Sequence, residues 1–170
     1  MKKNISKKNL TIIGLKPVRQ SPGLCGPAAL RVVLKYYGLE VSEKKLAKLA
    51  GASQKKGTTI EGLIKAAKAL GFKVFLKDNS SLSELAYFIK QKMPVIVDWF
   101  DQDDGHYSVV SRLMGNRIFL MNSSSLPAEI KEISMPTSKF MRIWFDFPGS
   151  YLKDKKEIIL RRMIVLIPIR

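Results

Sequence analysis

The hydrophobic pattern changes near the middle of the chain, and this change limits the fold more than any other feature of the sequence. Apolar residues first recur at helical spacing, between Pro27 and Gly38, which predicts a helix over residues 25–37. After residue 94 they occur in short runs separated by turn residues, as in antiparallel strands. Because strands and helices do not alternate as in a parallel sheet, the pattern predicts an α+β fold, with an N-terminal helical half packed on a C-terminal antiparallel β-sheet.

Capping and turn residues predict where the individual elements begin and end. Ser42 begins a short helix, and Thr58 and Ser81 each precede a Glu by three residues, which is the capping-box pattern. The Met114-Gly115-Asn116 turn joins two strands into a hairpin. The predicted helices cover residues 25–37, 42–50, 58–71, 81–92 and 137–144, and the predicted strands cover residues 72–76, 94–100, 106–113, 117–121, 130–133 and 157–169.

Length and cysteine content indicate the domain organisation and the need for cofactors. The 170 residues suit one domain, which we expect to span residues 10–170 after a basic, flexible arm over residues 1–9. A single Cys forms no internal disulfide, and one Cys with one His falls short of the usual nitrogen and sulfur metal sites. We therefore expect no metal and no other cofactor.

The net charge of +16 favours solubility and attracts acidic partners. Lys residues spread along the predicted helix faces favour a solvated basic surface, with weak polyanion binding as the alternative. The longest apolar run, residues 163–169, is too short for a membrane helix, and the N-terminus lacks the apolar stretch of a secretory signal. We expect a cytoplasmic protein without a membrane span.

The only thiol of the chain, Cys25, lies at the start of the most strongly predicted helix. Backbone N–H groups and the helix dipole stabilise negative charge at such a position, so we expect a lowered pKa and a nucleophilic thiolate. Gly23 and Gly26, on either side, let another part of the backbone approach the sulfur. The alternative is a small, buried apolar Cys without a catalytic role.

Three further polar residues are candidates to assist Cys25. The only His, His106, opens a predicted strand and can serve as the base of a Cys-His ion pair. Asn122 lies across the predicted hairpin, where strand pairing can bring it to the imidazole as the residue that orients the ring. Gln20, shortly before Cys25, can donate to an oxyanion together with the Cys25 backbone N–H. Taken singly, each is also compatible with an ordinary structural role.

The order of these residues resembles the papain-like cysteine peptidases, and among them the double-glycine leader peptidases of cysteine peptidase family 39 and their stand-alone relatives. The resemblance covers about residues 15–147. Where many family members carry Asp followed by Pro, this chain has Asn122-Ser123, so the orienting group is expected to be neutral. The matching residues are Gln20, Cys25-Gly26-Pro27-Ala28-Ala29-Leu30, Tyr36-Tyr37-Gly38, Gly105-His106-Tyr107-Ser108-Val109-Val110 and Asn122.

The resemblance implies a papain-like fold for residues 10–170 and a soluble cysteine peptidase that acts through a thioester, after small residues such as Gly. The implied roles are nucleophile for Cys25, general base and acid for His106, ring orientation for Asn122 and oxyanion-hole donor for Gln20. Leader peptidases are usually fused to a transporter and an ATPase, which this sequence lacks, so we expect no export by this chain alone. Two alternatives keep the same fold: a non-catalytic module that binds a peptide or a polyanion, and an acyl transferase that uses the same Cys.

Overall fold

The computed structural model describes residues 9–12 and 14–169 of the chain. Residues 1–8 of the predicted basic arm lie outside the described residues. The helices are α1 (Cys25–Tyr36), α2 (Glu43–Ala50), α3 (Ile60–Ala69), α4 (Leu82–Lys90) and α5 (Thr137–Ile143). The strands are β1 (Leu10–Thr11), β2 (Phe72–Lys77), β3 (Val95–Asp101), β4 (Asp104–Met114), β5 (Arg117–Asn122), β6 (Lys131–Pro136), β7 (Phe145–Asp146), β8 (Ile159–Leu160) and β9 (Arg162–Pro168).

One antiparallel sheet contains seven of these strands, in the order β2-β9-β3-β4-β5-β6, and β1 pairs with the C-terminal part of β4. The remaining two, β7 and β8, form a separate ribbon. Helix α1 packs against α2, α3 and β4, so the helical half lies on the centre of the sheet. The α+β fold predicted from the sequence is confirmed. No helix of the described residues is long and apolar enough to cross a membrane.

The core explains why the central strands have nearly continuous apolar runs. Val95, Ile96 and Val97 in β3 are all at most 1% exposed, so residues on both faces of this strand are buried. Leu34 of α1 is fully buried in the same core. Its replacement by Ala would leave a cavity and cost about 2–5 kcal/mol of unfolding free energy.

Two of the three predicted helix caps are confirmed, and the third is displaced by one residue. Ser42 caps α2 by accepting from the Lys45 N–H, and Ser81 with Glu84 forms the predicted capping box of α4. The predicted cap at Thr58 is wrong, because the Thr59 hydroxyl accepts from the Gly62 N–H at 3.1 Å and α3 begins at the next residue. The Thr58 side chain instead packs against α1, as described below.

The predicted single strand over residues 157–169 is wrong. A short 3-10 turn (Lys155–Glu157) and β8 precede β9, and the two strands belong to different sheets. Arg161 separates them because it adopts a left-handed backbone conformation, with φ of 49°, and donates its N–H to the Trp144 carbonyl at 2.9 Å. Alternation of apolar and polar residues does not reveal such a reversal, because a positive φ at a non-Gly residue is imposed by tertiary contacts.

Candidate active site

Cys25 is the first residue of α1 and is partly buried. The chain segment that leads to it is held in place by Ser21, whose N–H and hydroxyl donate to the two carboxylate oxygens of Glu43 at 2.8 and 2.7 Å. Leu24 ends this segment without a side-chain cap, so the first N–H groups of the helix remain available around the thiol. The N-terminal position predicted for the thiol is confirmed.

Two glycines allow the loop over residues 53–58 to pack directly beside Cys25. A Cβ atom on Gly23, which has a φ of +74°, would lie 2.4 Å from the Gln54 carbonyl oxygen. A Cβ atom on Gly26 would lie 2.7 Å from Cβ of Thr58. Both distances are too short for a side chain, so the sequence needs glycine at these positions for this wall of the site to form.

His106 and Asn122 contact each other directly. His106 Nε2 lies 3.1 Å from Asn122 Oδ1, and Asn122 Nδ2 donates to the Glu129 carbonyl at 3.2 Å. The pairing of β4 with β5 brings the two residues together, as the predicted hairpin required. Trp99 lies edge-on to the imidazole, with ring centroids 6.0 Å apart. The ring is therefore fixed on two sides.

Gln20 lies beside the strand end that carries Asn122. Its backbone N–H donates to the Ser124 carbonyl at 3.0 Å, two residues beyond Asn122. Its side-chain Oε1 is buried and has no hydrogen-bond partner among the described residues. The amide oxygen therefore makes no hydrogen bond within the described residues, and in the same part of the chain no hydrogen bond links the Gln20 side chain to Cys25 or His106.

The thiol of Cys25 adjoins the strand that carries His106. Hydrogen bonding from the backbone N–H groups of Tyr107 and Gly26 lowers the Cys25 pKa, and Tyr107 directly follows His106. Burial outweighs this effect and, together with the negative charges of Asp98 and Asp104, raises the Cys25 pKa to about 11. The predicted lowering of the thiol pKa is therefore wrong, because desolvation exceeds the local stabilisation at the helix start.

Burial has the corresponding effect on the imidazole. It lowers the His106 pKa below its ordinary value, although the charges of Asp101 and Asp104 and the bond to Asn122 oppose the shift. Both pKa directions favour a neutral thiol and a neutral imidazole near pH 7. The predicted Cys-His ion pair is thus not the favoured resting state of these two groups.

A cavity of about 750 Å³ opens beside Cys25. Its polar lining includes Asp98, Asp146, Tyr107 and Arg162, none of which was predicted as a site residue. The guanidinium of Arg162 donates to both carboxylate oxygens of Asp78, at 2.7 and 2.9 Å. One residue of this lining was recognisable from the sequence. Asp98 is the only charged residue of β3 apart from Asp101 at the strand end, so it interrupts an apolar run.

The comparison with known protein families covers most of the chain. The peptidase C39 family model matches residues 17–147, which include all four predicted site residues. The pediocin PA-1 transport/processing ATP-binding protein of Pediococcus acidilactici is 32% identical over 125 residues, which are 71% of this chain and 16% of that protein. The chain spans 38% or less of the lengths of the curated relatives that it matches.

Solved structures agree in fold. The peptidase domain of Streptococcus ComA, a bi-functional ABC transporter of a quorum-sensing pathway, superimposes with a TM-score of 0.68 and 28% identity, over 91% of this chain and 98% of that domain. A double-glycine motif protease of an AMS/PCAT transporter, solved in complex with the leader peptide, has a TM-score of 0.64 and 18% identity, over 95% of this chain and 93% of that one.

Proposed function

This chain belongs to the peptidase C39 family, and we propose that it hydrolyses peptide bonds through a thioester on Cys25. The observation that carries the proposal is the oriented imidazole of His106 beside the strand segment that contacts the Cys25 thiol. Likeness to the peptidase domain of Streptococcus ComA supports a peptidase role for the family fold.

His106 acts as the base in the first step. Asn122 Oδ1 can only accept, so Nε2 carries the ring proton and Nδ1 keeps a lone pair. As the Cys25 sulfur attacks the carbonyl carbon of the substrate, Nδ1 takes the thiol proton. The resulting imidazolium then protonates the leaving amine, and the acyl group remains on sulfur as a thioester. Water attacks this thioester with His106 again as the base, which releases the acid product and restores the thiol.

Gln20 and the Cys25 backbone N–H are the proposed donors to the oxyanion of the tetrahedral intermediate. Gln20 is held by its main-chain bond to Ser124, so its side chain needs only a rotation about its own bonds to aim Nε2 at the substrate oxygen. Donors positioned in advance stabilise the developing charge more than water does, because they need no reorganisation during the reaction.

The proposed substrates are peptides with small residues, such as Gly, before the scissile bond. Support comes from the likeness to a double-glycine motif protease that was solved with the leader peptide. We also propose that residues 10–170 act as one catalytic domain and that residues 1–9 are a basic arm.

The first experiment measures the rate of Cys25 alkylation by iodoacetamide from pH 5 to pH 10, in the wild type and in His106→Ala. Cys25 is the only Cys, so the label reports on this thiol alone. If His106 accepts the proton, the wild type reacts at pH 7 about 100-fold faster than the variant, the lower end of general-base effects. The difference between the two rates narrows towards pH 10, as a growing fraction of the thiol, whose pKa is about 11, ionises without help.

Equal alkylation rates at pH 7 would exclude His106 as the base and overturn the proposed mechanism. Circular dichroism of both proteins shows whether the variant remains folded. Cleavage of a Gly-Gly peptide amide by the wild type, with Cys25→Ala as the inactive control, then tests hydrolysis directly. Products that appear only as adducts of an added amine would replace hydrolysis with acyl transfer.

A further inference from the structure

Two carboxyl groups in the Cys25 cavity have no role in the proposed mechanism. Asp98 is only 2% exposed, and its Oδ1 has no hydrogen-bond partner among the described residues, although Asp98 lines the cavity. Asp146 lines the same cavity from β7 and packs against Gly105, where a Cβ atom would lie 2.4 Å from Asp146 Oδ1. The close approach at Gly105 leaves room for this second carboxyl beside the first.

The cations nearby do not match these carboxyl groups in number. Arg162 is the cationic side chain whose charge acts on both Asp98 and Asp146, but its guanidinium is already bound by Asp78 through two bonds. Burial raises the pKa values of both Asp98 and Asp146. The charge of Asp146 adds to the shift at Asp98, and the charge of Asp104 adds to the shift at Asp146. Raised pKa values mean that these two carboxyl groups tend to keep a proton. A cationic group bound between them would supply the positive charge in place of that proton.

The lining of the cavity also differs in charge from the rest of the molecule. The chain carries a net charge of +16, but five acidic and three basic residues line this cavity. Charges are screened over about 8 Å at physiological salt, so the lining dominates the potential that a small ligand meets there. The acidic residues are Asp98, Asp103, Asp104, Asp146 and Glu61, and the basic residues are Lys55, Lys56 and Arg162.

We propose that Asp98 and Asp146 form a cation subsite of the Cys25 cavity, which binds the ammonium or guanidinium group of a basic residue in the peptide substrate. Both groups carry several N–H donors, which two neighbouring carboxylates can accept. The identity of the ligand as a substrate side chain rests on the proposed peptidase function. The preference of the cavity for cations does not rest on it and is measurable without a substrate.

The test compares three methanethiosulfonate reagents that share a two-carbon chain and end in a cationic, a neutral or an anionic group: 2-aminoethyl, 2-hydroxyethyl and 2-sulfonatoethyl. In each reaction the Cys25 sulfur attacks the sulfenyl sulfur, a disulfide forms, and methanesulfinate leaves. The measured quantity is the ratio of the rates with the cationic and the anionic reagent, normalised to the same ratio for 2-mercaptoethanol. This ratio cancels any change in the ionisation of the thiol.

The normalised ratio is expected to reach about 10 in the wild type, since an excess of acidic over basic side chains in a cleft raises the local concentration of cations. The labelling is done above pH 8, where Asp98, whose pKa is raised to about 8, is ionised. Under these conditions Asp98→Asn and Asp146→Asn each reduce the ratio several-fold. Asp103→Asn removes one negative charge from an exposed position of the same lining and keeps the ratio within about twofold of wild type. A wild-type ratio near 1, or equal losses in all three variants, would overturn the subsite.

Peptide cleavage separates this proposal from the proposed function. The subsite predicts a higher kcat/KM for Gly-Gly peptides with a Lys near the scissile bond than for the same peptides with norleucine, and a loss of this difference in Asp146→Asn. Equal cleavage of both peptides would overturn the subsite and leave the peptidase function intact. A cation preference in labelling without any cleavage would support the subsite and overturn the peptidase function.

Discussion

The imidazole of His106 and the amide of Asn122 are joined by a 3.1 Å contact between Nε2 and Oδ1, and a second hydrogen bond of the amide fixes its orientation. Asn122 Nδ2 donates to the Glu129 carbonyl at 3.2 Å, so the oxygen must face the ring. This second bond determines which imidazole nitrogen carries the proton. Glu129 belongs to the short 3-10 turn Pro127–Glu129 between β5 and β6, so that turn has a part in positioning His106.

Asn122→Ala is expected to lower kcat about 10- to 100-fold, because the ring loses the partner that holds its tautomer and orientation. Asn122→Asp places a negative charge beside the ring and favours the imidazolium. The acid limb of the kcat profile should therefore move to higher pH in that variant. Unchanged kcat in Asn122→Ala, measured on a folded protein, would contradict the role of Asn122.

Gln20→Ala is expected to lower kcat about 100- to 1000-fold with little change in KM, because an oxyanion donor acts mainly in the transition state. Steady-state kinetics on a Gly-Gly peptide amide measure both constants. Gln91→Ala, at an exposed position after α4, is the matched control and should retain wild-type kinetics. A rise in KM at constant kcat would assign Gln20 to substrate binding instead.

The parts of the site that depend on local sequence were predictable. The start of α1 places Cys25, and the hairpin of β4 and β5 brings His106 to Asn122, so motif spacing and turn residues were sufficient. The family resemblance is borne out by the match over residues 17–147. The catalytic roles of the four residues stay predictions.

The electrostatics of the site could not be predicted from the sequence. The helix start is a local feature that lowers a thiol pKa, whereas the burial that raises the Cys25 pKa comes from distant segments. Asp98 and Asp146 lie 48 residues apart on β3 and β7, and only the tertiary fold brings them into one cavity. A buried polar residue inside an apolar strand, such as Asp98, is nevertheless an informative sequence signal.

Gly23→Ala is expected to impair both the fold and the site, because its Cβ atom would lie 2.4 Å from the Gln54 carbonyl oxygen at a φ of +74°. We expect a loss of about 1–3 kcal/mol in unfolding free energy, as for other overpacked positions. We also expect a lower alkylation rate of Cys25 as the loop over residues 53–58 moves. Urea unfolding and iodoacetamide labelling measure the two effects.

Gly115→Ala is the matched control for Gly23→Ala. It also has a positive φ, of +58°, but nothing lies within 4 Å of its added Cβ. It should therefore show only the backbone strain, about 1–2 kcal/mol, with Cys25 labelling unchanged. If Cys25 is labelled at the wild-type rate in both variants, the packing of residues 53–58 against Gly23 has no influence on the site.

Removal of residues 1–9 tests whether the basic arm binds polyanions. The arm contains four Lys residues, and each contact with a phosphate releases a counter-ion. The slope of log binding constant against log salt for double-stranded DNA should therefore become shallower by up to about 3 to 4 on truncation. An unchanged slope, measured between 50 and 200 mM salt as typical conditions, would assign any DNA binding to the basic residues of the domain.

The buried Asp98 predicts an unusual dependence of stability on pH. Burial and the charge of Asp146 raise its pKa to about 8 in the folded chain, whereas an unfolded Asp has a pKa of about 3.9. Between these values the folded state binds more protons than the unfolded state, so this group makes unfolding free energy fall as pH rises, by up to about 1.4 kcal/mol per pH unit. Asp98→Asn removes this term, and urea unfolding at pH 5 and pH 8 should show a smaller difference than in the wild type. Asp103→Asn leaves Asp98 intact and should retain the wild-type difference in unfolding free energy between pH 5 and pH 8. If Asp98→Asn also retained that difference, Asp98 would have the same pKa in the folded and unfolded states, which would contradict the prediction.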